Sequence, residues 1–234
     1  MRHIKRAARK LLNRYPRFVL RQEFESQVFT RFNERPIELG FVFRKVGEIY
    51  PRSILDVGTG TTALPQVLRD CGCLVTATDN VLDYWPDGMV NRHYHVIDDN
   101  IKATRQTRTF DLVTCISVLE HIHSPDDAVK SMFSLLKPKG HLILTFPYTE
   151  NGYMANVYEL PGSSYGKGLP YVAQSYSRGE LERWITANDG TIVDQEYWQF
   201  WEGDHWTVGK QVIPPLKVGA GDKHQLTCIL IRRG

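Results

Sequence analysis

Residues 54–63 read Ile54-Leu55-Asp56-Val57-Gly58-Thr59-Gly60-Thr61-Thr62-Ala63. An apolar run stops at paired glycines and a helix-forming stretch follows. That pattern predicts a buried strand, a tight turn and a helix, the opening of a βαβ unit. Glycines at the turn permit backbone angles and ligand approaches that a Cβ forbids. Ala63 stands where a small residue lets helix and strand pack closely. Asp56 narrows the ligand: a carboxylate just before the glycines repels a pyrophosphate seated at the helix N-terminus and suits a ligand carrying an ammonium there. A plain turn cap is the competing reading of the same acid.

Downstream, strands and helices alternate. A helix from Thr62 to about Asp70 ends at Gly72, and a second strand, Leu74–Thr78, runs into Asp79 and Asn80. Asp79 stands about twenty residues beyond the glycines, the spacing at which an acid accepts hydrogen bonds from ribose hydroxyls. A third strand is expected over His93–Ile97, leading into Asp98-Asp99-Asn100, and a fourth over Asp111–Ile116. Ser124 as N-cap, Pro125 and Asp126-Asp127 predict a helix reaching Leu136, broken at Pro138-Lys139-Gly140. A fifth strand, His141–Phe146, follows. Ser177 and Glu180 form a capping box, and strands at Thr191–Phe200 and Leu226–Ile231 close the sheet. The expectation is an α/β fold with a doubly wound, mostly parallel, seven-stranded Rossmann-like sheet. Ligands of such sheets bind beyond the carboxyl ends of the strands, where Asp56, Asp79, Asp98, Asp99, Ser117 and Tyr148 converge.

The N-terminus has a different character. Arg2, Lys5, Arg6, Arg9, Lys10, Arg14, Arg17 and Arg21 precede the first acid, Glu23, in a chain whose net charge is only +3. The remainder is therefore mildly acidic, which argues against a protein built around nucleic acid. Ile4, Ala8, Leu11, Leu12 and Tyr15 share one helical face. Such a helix packs on its own domain, on a second copy in a homodimer, or on an anionic membrane surface. Residues 22–50 read as two helices, with Phe24, Val28 and Phe32 in the first, Ile37, Phe41 and Val42 in the second, and Asn33-Glu34-Arg35 in the break before Pro36. The expected organisation is a helical extension, 1–50, packed on a single catalytic domain, 51–234. Lid insertions are expected at about 148–176 and 201–225. No apolar run approaches the roughly 20 residues of a membrane span. The four cysteines have no zinc-site spacing, so reduced thiols and a cytoplasmic location are expected. His93 and His95 alternate on one strand but complete no ligand set, and no metal is expected.

Taken together, Leu55–Gly60, Asp79, Phe110–Val113 with Ser117–Ile122, and Leu136–Leu144 resemble the motifs of class I S-adenosylmethionine-dependent methyltransferases of the type 11 kind. Lys139 stands where glycine is more usual. Asn33-Glu34-Arg35-Pro36 is loosely similar to methyltransferases of surface-polysaccharide loci. The resemblance implies that Asp56, Gly58, Thr59 and Gly60 hold the methionine part of S-adenosylmethionine. It places Asp79 at the ribose hydroxyls, Asp98 or Asp99 at the adenine amino group and Ser117 beside the sulfonium, with Asn80 and Asn100 also among the cofactor-binding residues. S-adenosylhomocysteine would be the product. It tilts the acceptor toward a sugar or glycan hydroxyl, with a phenolic or other small molecule second.

A hydroxyl acceptor needs its proton removed. His121 is the candidate base, with Glu120 as its orienter; a structural role is the competing reading of that pair. Tyr148 with Glu150, and His205, are further candidates. An NAD-type oxidoreductase using the same crevice and a non-catalytic cofactor-binding module are the alternatives from other classes.

Overall fold

The computed structural model describes Lys5 and residues 9–29, 31–85 and 88–234. The chain divides into two compact units between Asn33 and Glu34, earlier in sequence than the expected 50/51 division. In the smaller unit, α1 (Arg14–Glu25) continues helical backbone begun at Arg9. Ile4 and Ala8 of the expected face lie outside the described residues. Val28 and Phe32 are not helical. At 78% and 54% exposure they bury too little to stabilise further turns, and helix propagation without packing is marginal.

In the larger unit, α2 (Arg35–Ile49) starts with Pro36 in its first turn and ends at Tyr50, whose φ of 52° breaks the helix. This helix belongs to the domain core, because Phe41, Val42 and Val46 pack against Ile54, Leu112 and Ile143 of the sheet. The strands are β1 (Ser53–Val57), β2 (Leu74–Asp79), β3 (Val96–Asp98), β4 (Phe110–Ile116), β5 (Leu136–Pro147), β6 (Gly190–Trp201), β7 (Gln211–Val218) and β8 (Leu226–Arg233). They form one sheet in the order β3-β2-β1-β4-β5-β8-β6-β7. The first five are parallel, and β8 runs antiparallel between β5 and β6. The strand order reverses between β1 and β4, the switch point where sheets of this kind bind ligands.

Alternation along the central strands decides which side chains meet. Leu55, Val57, Val113, Cys115, Leu142 and Leu144 face α5 (Pro125–Ser134) and α6 (Arg178–Ala187) through Val129, Met132, Phe133, Leu181 and Trp184. Ile54, Leu112 and Ile143 face α2 and α3 (Leu64–Asp70). With a period of two, Asp56, Thr114, Ile116 and Thr145 point the same way as Ile54, toward α2.

Several expected elements differ. The sheet has eight strands, because 201–225 contributes β7 instead of serving as an insertion alone. The third strand is only Val96–Asp98, so His93 and His95 share no strand face. Its pattern is half exposed, and little burial favours extending it. Ser124 has φ 60° and makes no side-chain cap; the helix stops at Ser134 and β5 begins at Leu136. Lys139 accounts for its own oddity: its φ is 61°, a left-handed angle that glycine adopts more readily. Residues 148–176 carry a small core of Val157, Tyr158 and Ala173 under Met154, Leu169 and Tyr171.

Phe41 is fully buried. Phe41→Ala should therefore cost about 3–5 kcal/mol of stability, read by urea denaturation of the full chain; a loss below about 1 kcal/mol would mean that α2 is not part of the domain core.

Candidate functional site

The turn after β1 uses its own donors. Gly58 and Thr59 N–H donate to the Thr78 carbonyl at 2.8 and 3.2 Å, and Gly60 N–H donates to Asp79 Oδ2 at 2.7 Å. A phosphate cradle needs such N–H groups aimed at the ligand; here they point at the end of β2. The glycines also differ from the expectation of a shared ligand approach. A Cβ on Gly58 would come within 2.4 Å of Val118, so this residue is small for packing, whereas a Cβ on Gly60 would meet nothing within 4 Å.

Asp56 is 2% exposed. Its two oxygens accept from Thr114 Oγ1 and Thr59 Oγ1, each at 2.7 Å. Burial raises its pKa to about 6, against the opposing hydroxyl hydrogen bonds. Asp79 also accepts from Trp85 Nε1 at 3.4 Å, and burial raises its pKa, opposed by its donors. Asn80 caps α4 (Val81–Tyr84) through its carbonyl, which accepts from Tyr84 N–H at 3.2 Å.

Asp98, Asp99 and Asn100 divide their tasks. Asp99 accepts from Thr104 Oγ1 at 2.5 Å and Arg105 N–H at 2.9 Å, so both its oxygens hold the local loop. Asn100 accepts from Lys102 N–H and caps the short helical turn Ile101–Ala103. Asp98 accepts from Leu82 N–H at 3.1 Å with a partly exposed carboxylate beside Arg105.

Sequence reasoning missed Glu38 altogether. From the first turn of α2 its carboxylate, fully buried, accepts from Ser117 Oγ at 2.5 Å, Thr145 Oγ1 at 2.6 Å and Arg35 at 2.9 Å. Arg35 also donates to the Ile116 carbonyl. Ser117 is held at φ 50° with its N–H on Thr145. Burial raises the Glu38 pKa, with Arg35 opposing. Burial works against the charge of Arg35, but Glu38, Glu34 and Glu120 together hold its pKa raised. Arg35 lies within electrostatic reach of Asp56 and His121 as well. A glutamate in a first helical turn reads as ordinary dipole compensation, so only the Asn33–Pro36 break hinted at this cluster.

His121 and Glu120 follow Ser117 on a short helical turn. His121 Nδ1 lies 2.6 Å from the Val172 carbonyl. A carbonyl only accepts, so Nδ1 carries the hydrogen and Nε2 keeps its lone pair. Burial lowers the His121 pKa, opposed by that carbonyl, which leaves the ring neutral at pH 7. The hydrogen bond that holds the ring thus goes to Val172 and not to the expected Glu120, whose Oε1 is 3.9 Å from Nε2. Glu120 is buried, its Oε2 has no partner, and burial pushes its pKa well above the usual carboxylate range. Tyr171 stands edge-on to His121 at 4.9 Å and close to Tyr84 and Tyr158.

The remaining candidates sit elsewhere. Tyr148 is fully buried and donates to Glu150, which Arg178 grips with two nitrogens. Burial raises its phenol pKa, which keeps the hydroxyl protonated at neutral pH and leaves no free base there. His224 stacks on the Tyr148 ring. His205 lies in the loop between β6 and β7 with a buried, unpartnered Nδ1.

A methyltransferase domain family model matches residues 3–195. The chain belongs to that methyltransferase family. Ubiquinone biosynthesis O-methyltransferase of Coxiella burnetii (strain Dugway 5J108-111) is 27% identical over 171 residues, covering 68% of this chain and 71% of that protein. The protein of the same name from Glaesserella parasuis serovar 5 is 28% identical over 171 residues, covering 66% and 71%. Among solved structures, the N-methyltransferase NodS from Bradyrhizobium japonicum WM9, in complex with S-adenosylhomocysteine, superposes with TM-score 0.53 at 15% identity, covering 86% of this chain and 87% of that one. The fold is thus the one shared by S-adenosylmethionine-dependent methyltransferases.

Folded Asp56 keeps a proton that the unfolded chain has released between about pH 4 and 6, so its contribution to stability falls as pH rises through that window, by about 3 kcal/mol for a shift of this size. Asp56→Asn cannot titrate. Its stability should fall less than that of the native chain across the window, as measured by urea melts at stepped pH; parallel curves would refute the raised pKa.

Proposed function

We propose that this chain transfers a methyl group from S-adenosylmethionine to a hydroxyl oxygen, with His121 as general base. The observation that supports oxygen as the acceptor is the single hydrogen bond from His121 Nδ1 to Val172, which leaves a neutral imidazole with Nε2 as its one basic atom. An amine acceptor that is already neutral needs no such group; a hydroxyl does.

The crevice fits the donor. Asp79 and Asp98 bring carboxylates to it, Asp56 adds a buried carboxyl, and Glu120 Oε2 is a buried polar atom without a partner. A sulfonium and an ammonium are cationic, and ribose hydroxyls and an adenine amino group are donors, so the charge and hydrogen-bonding complements match. Asp79 would hold the ribose, Asp98 the adenine amino group, and Asp56 with Thr59 and Gly60 the methionine end. Asp99 and Asn100 would support that loop without touching the ligand. Bound there, S-adenosylmethionine supplies a methyl group on a sulfonium already activated as a leaving group.

The work left to the protein is alignment and one proton. His121 Nε2 takes the hydroxyl proton as the acceptor oxygen bonds to the methyl carbon and the carbon–sulfur bond breaks, its electron pair going to sulfur. Ser117, fixed by Glu38 and Thr145, shapes the wall between donor and base. Tyr84, Tyr158 and Tyr171 present aromatic surface beside the base.

A glycan hydroxyl is the acceptor that the sequence motifs suggest, and those tyrosines would stack on a sugar face. The lowered pKa of His121 favours a phenol-like hydroxyl instead. A phenol ionises near pH 10, as tyrosine does, and a weakened base removes its proton more readily than that of a less acidic sugar hydroxyl. The names of the Coxiella and Glaesserella relatives point the same way. Four free cysteines, three of them buried, agree with a reducing cytoplasmic setting.

His121→Ala should lower kcat by roughly 10²–10⁴-fold while S-adenosylhomocysteine still raises Tm as it does for the native chain. The native pH–rate profile should lose activity toward acid with an apparent pKa below the ordinary histidine value, and the variant should lack that limb. Radiolabelled methyl transfer to a panel of phenols and saccharides decides the acceptor. Full activity of the variant would remove His121 from the mechanism.

A further inference from the structure

The smaller unit presents a helix whose two faces are chemically opposed. From Arg9 to Glu25 the backbone is helical apart from a turn at Asn13. Pro16 lacks an N–H, so the carbonyl one turn earlier loses its partner there. The helical period places Leu11, Tyr15 and Phe18 on one face, with Leu12 and Val19 beside them, and Lys10, Arg14, Arg17 and Arg21 on the other. Leu11, Leu12, Tyr15 and Phe18 are 58–75% exposed, and the four cations are exposed too. Arg21 pairs with Glu25 at 2.7 Å. We propose that this helix is a docking surface for an anionic lipid bilayer, lying in its interface with the apolar face inserted.

Charge and shape select that occupant over others. A second copy would bring two strongly cationic helices together, and like charges repel. Nucleic acid would neutralise the cations but leave the apolar face in water. A protein groove needs one continuous ridge of anchors, yet Leu20 and Phe24, also exposed at 52% and 71%, fall toward the cationic side. A fluid bilayer accepts such an outline without shape complementarity, while its anionic headgroups meet the arginines.

Flotation of the full chain with vesicles tests this. Binding to vesicles of equal parts phosphatidylglycerol and phosphatidylcholine should exceed binding to pure phosphatidylcholine by roughly tenfold or more, and should weaken as salt is raised. The pair Leu11→Ser with Phe18→Ser and the pair Arg14→Glu with Arg17→Glu should each abolish the preference. Their Tm, and its rise with S-adenosylhomocysteine, should stay native, because the replaced side chains are exposed; this readout separates failure here from failure of the methyl-transfer reading. No binding to either vesicle, equal binding to both, or survival of the preference in the variants would each overturn the proposal. So would a salt-stable dimer that the serine pair dissociates.

Discussion

The site rests on one electrostatic constraint: buried carboxylates outnumber the guanidinium available to them. Asp56, Glu38 and Glu120 are all buried, and Arg35 is the cation that acts on each. An unpaired buried charge costs several kcal/mol or forces a group to keep its proton. The chain answers with hydroxyls. Thr59 and Thr114 donate to Asp56, and Ser117 and Thr145 donate to Glu38, while Glu120 is left with an oxygen no group satisfies. The crevice is therefore long on acceptors and short on donors. With the Gly58–Gly60 N–H groups turned toward β2, it is hostile to a pyrophosphate and receptive to a cation, which removes the physical basis for a dinucleotide reading of the same fold.

That constraint follows from topology. The order reversal between β1 and β4 opens the crevice, and strand alternation sends Asp56, Thr114 and Thr145 to the α2 side, where the first turn of α2 supplies Arg35 and Glu38. Ser117 then leaves β4 at a left-handed angle, an unfavourable conformation for a serine, and hydrogen bonds on both its N–H and its hydroxyl hold it there. Strained backbone persists where its surroundings fix it, and here the fixing groups come from α2 and β5. Three elements far apart in sequence thus set the turn that carries Glu120 and His121.

What was legible in the sequence is what is buried on both faces. β1, β4 and β5 showed as apolar runs, and the strand ends marked Asp56 on β1, Asp79 on β2 and Asp98 on β3. β3 was misjudged because three half-exposed residues carry little pattern. β7 was missed because Pro214 and Pro215 argue against a strand; proline is tolerated at a sheet edge, and β7 is the edge strand. Glu38 was hidden because its hydroxyl partners lie 79 and 107 residues further along the chain, and a helix-start glutamate needs no special reason. The group that orients His121 had no side-chain signal at all, since Val172 acts through its carbonyl. The domain boundary fell at Asn33 because Phe41, Val42 and Val46 point into the sheet, which the break before Pro36 could not reveal.

The two halves of the site are built differently, and this bears on why likeness fixes the donor better than the acceptor. The donor half uses strand ends and the turns that leave them, all anchored in the sheet. The half around His121 borrows from 148–176, a segment with its own small core, tied back by main-chain contacts such as Val172 to His121 and Gln174 N–H to the Glu120 carbonyl. A main-chain carbonyl can hold the imidazole whatever side chains the segment carries. Side chains there can consequently change without disturbing the His121 imidazole or the strand-end carboxylates.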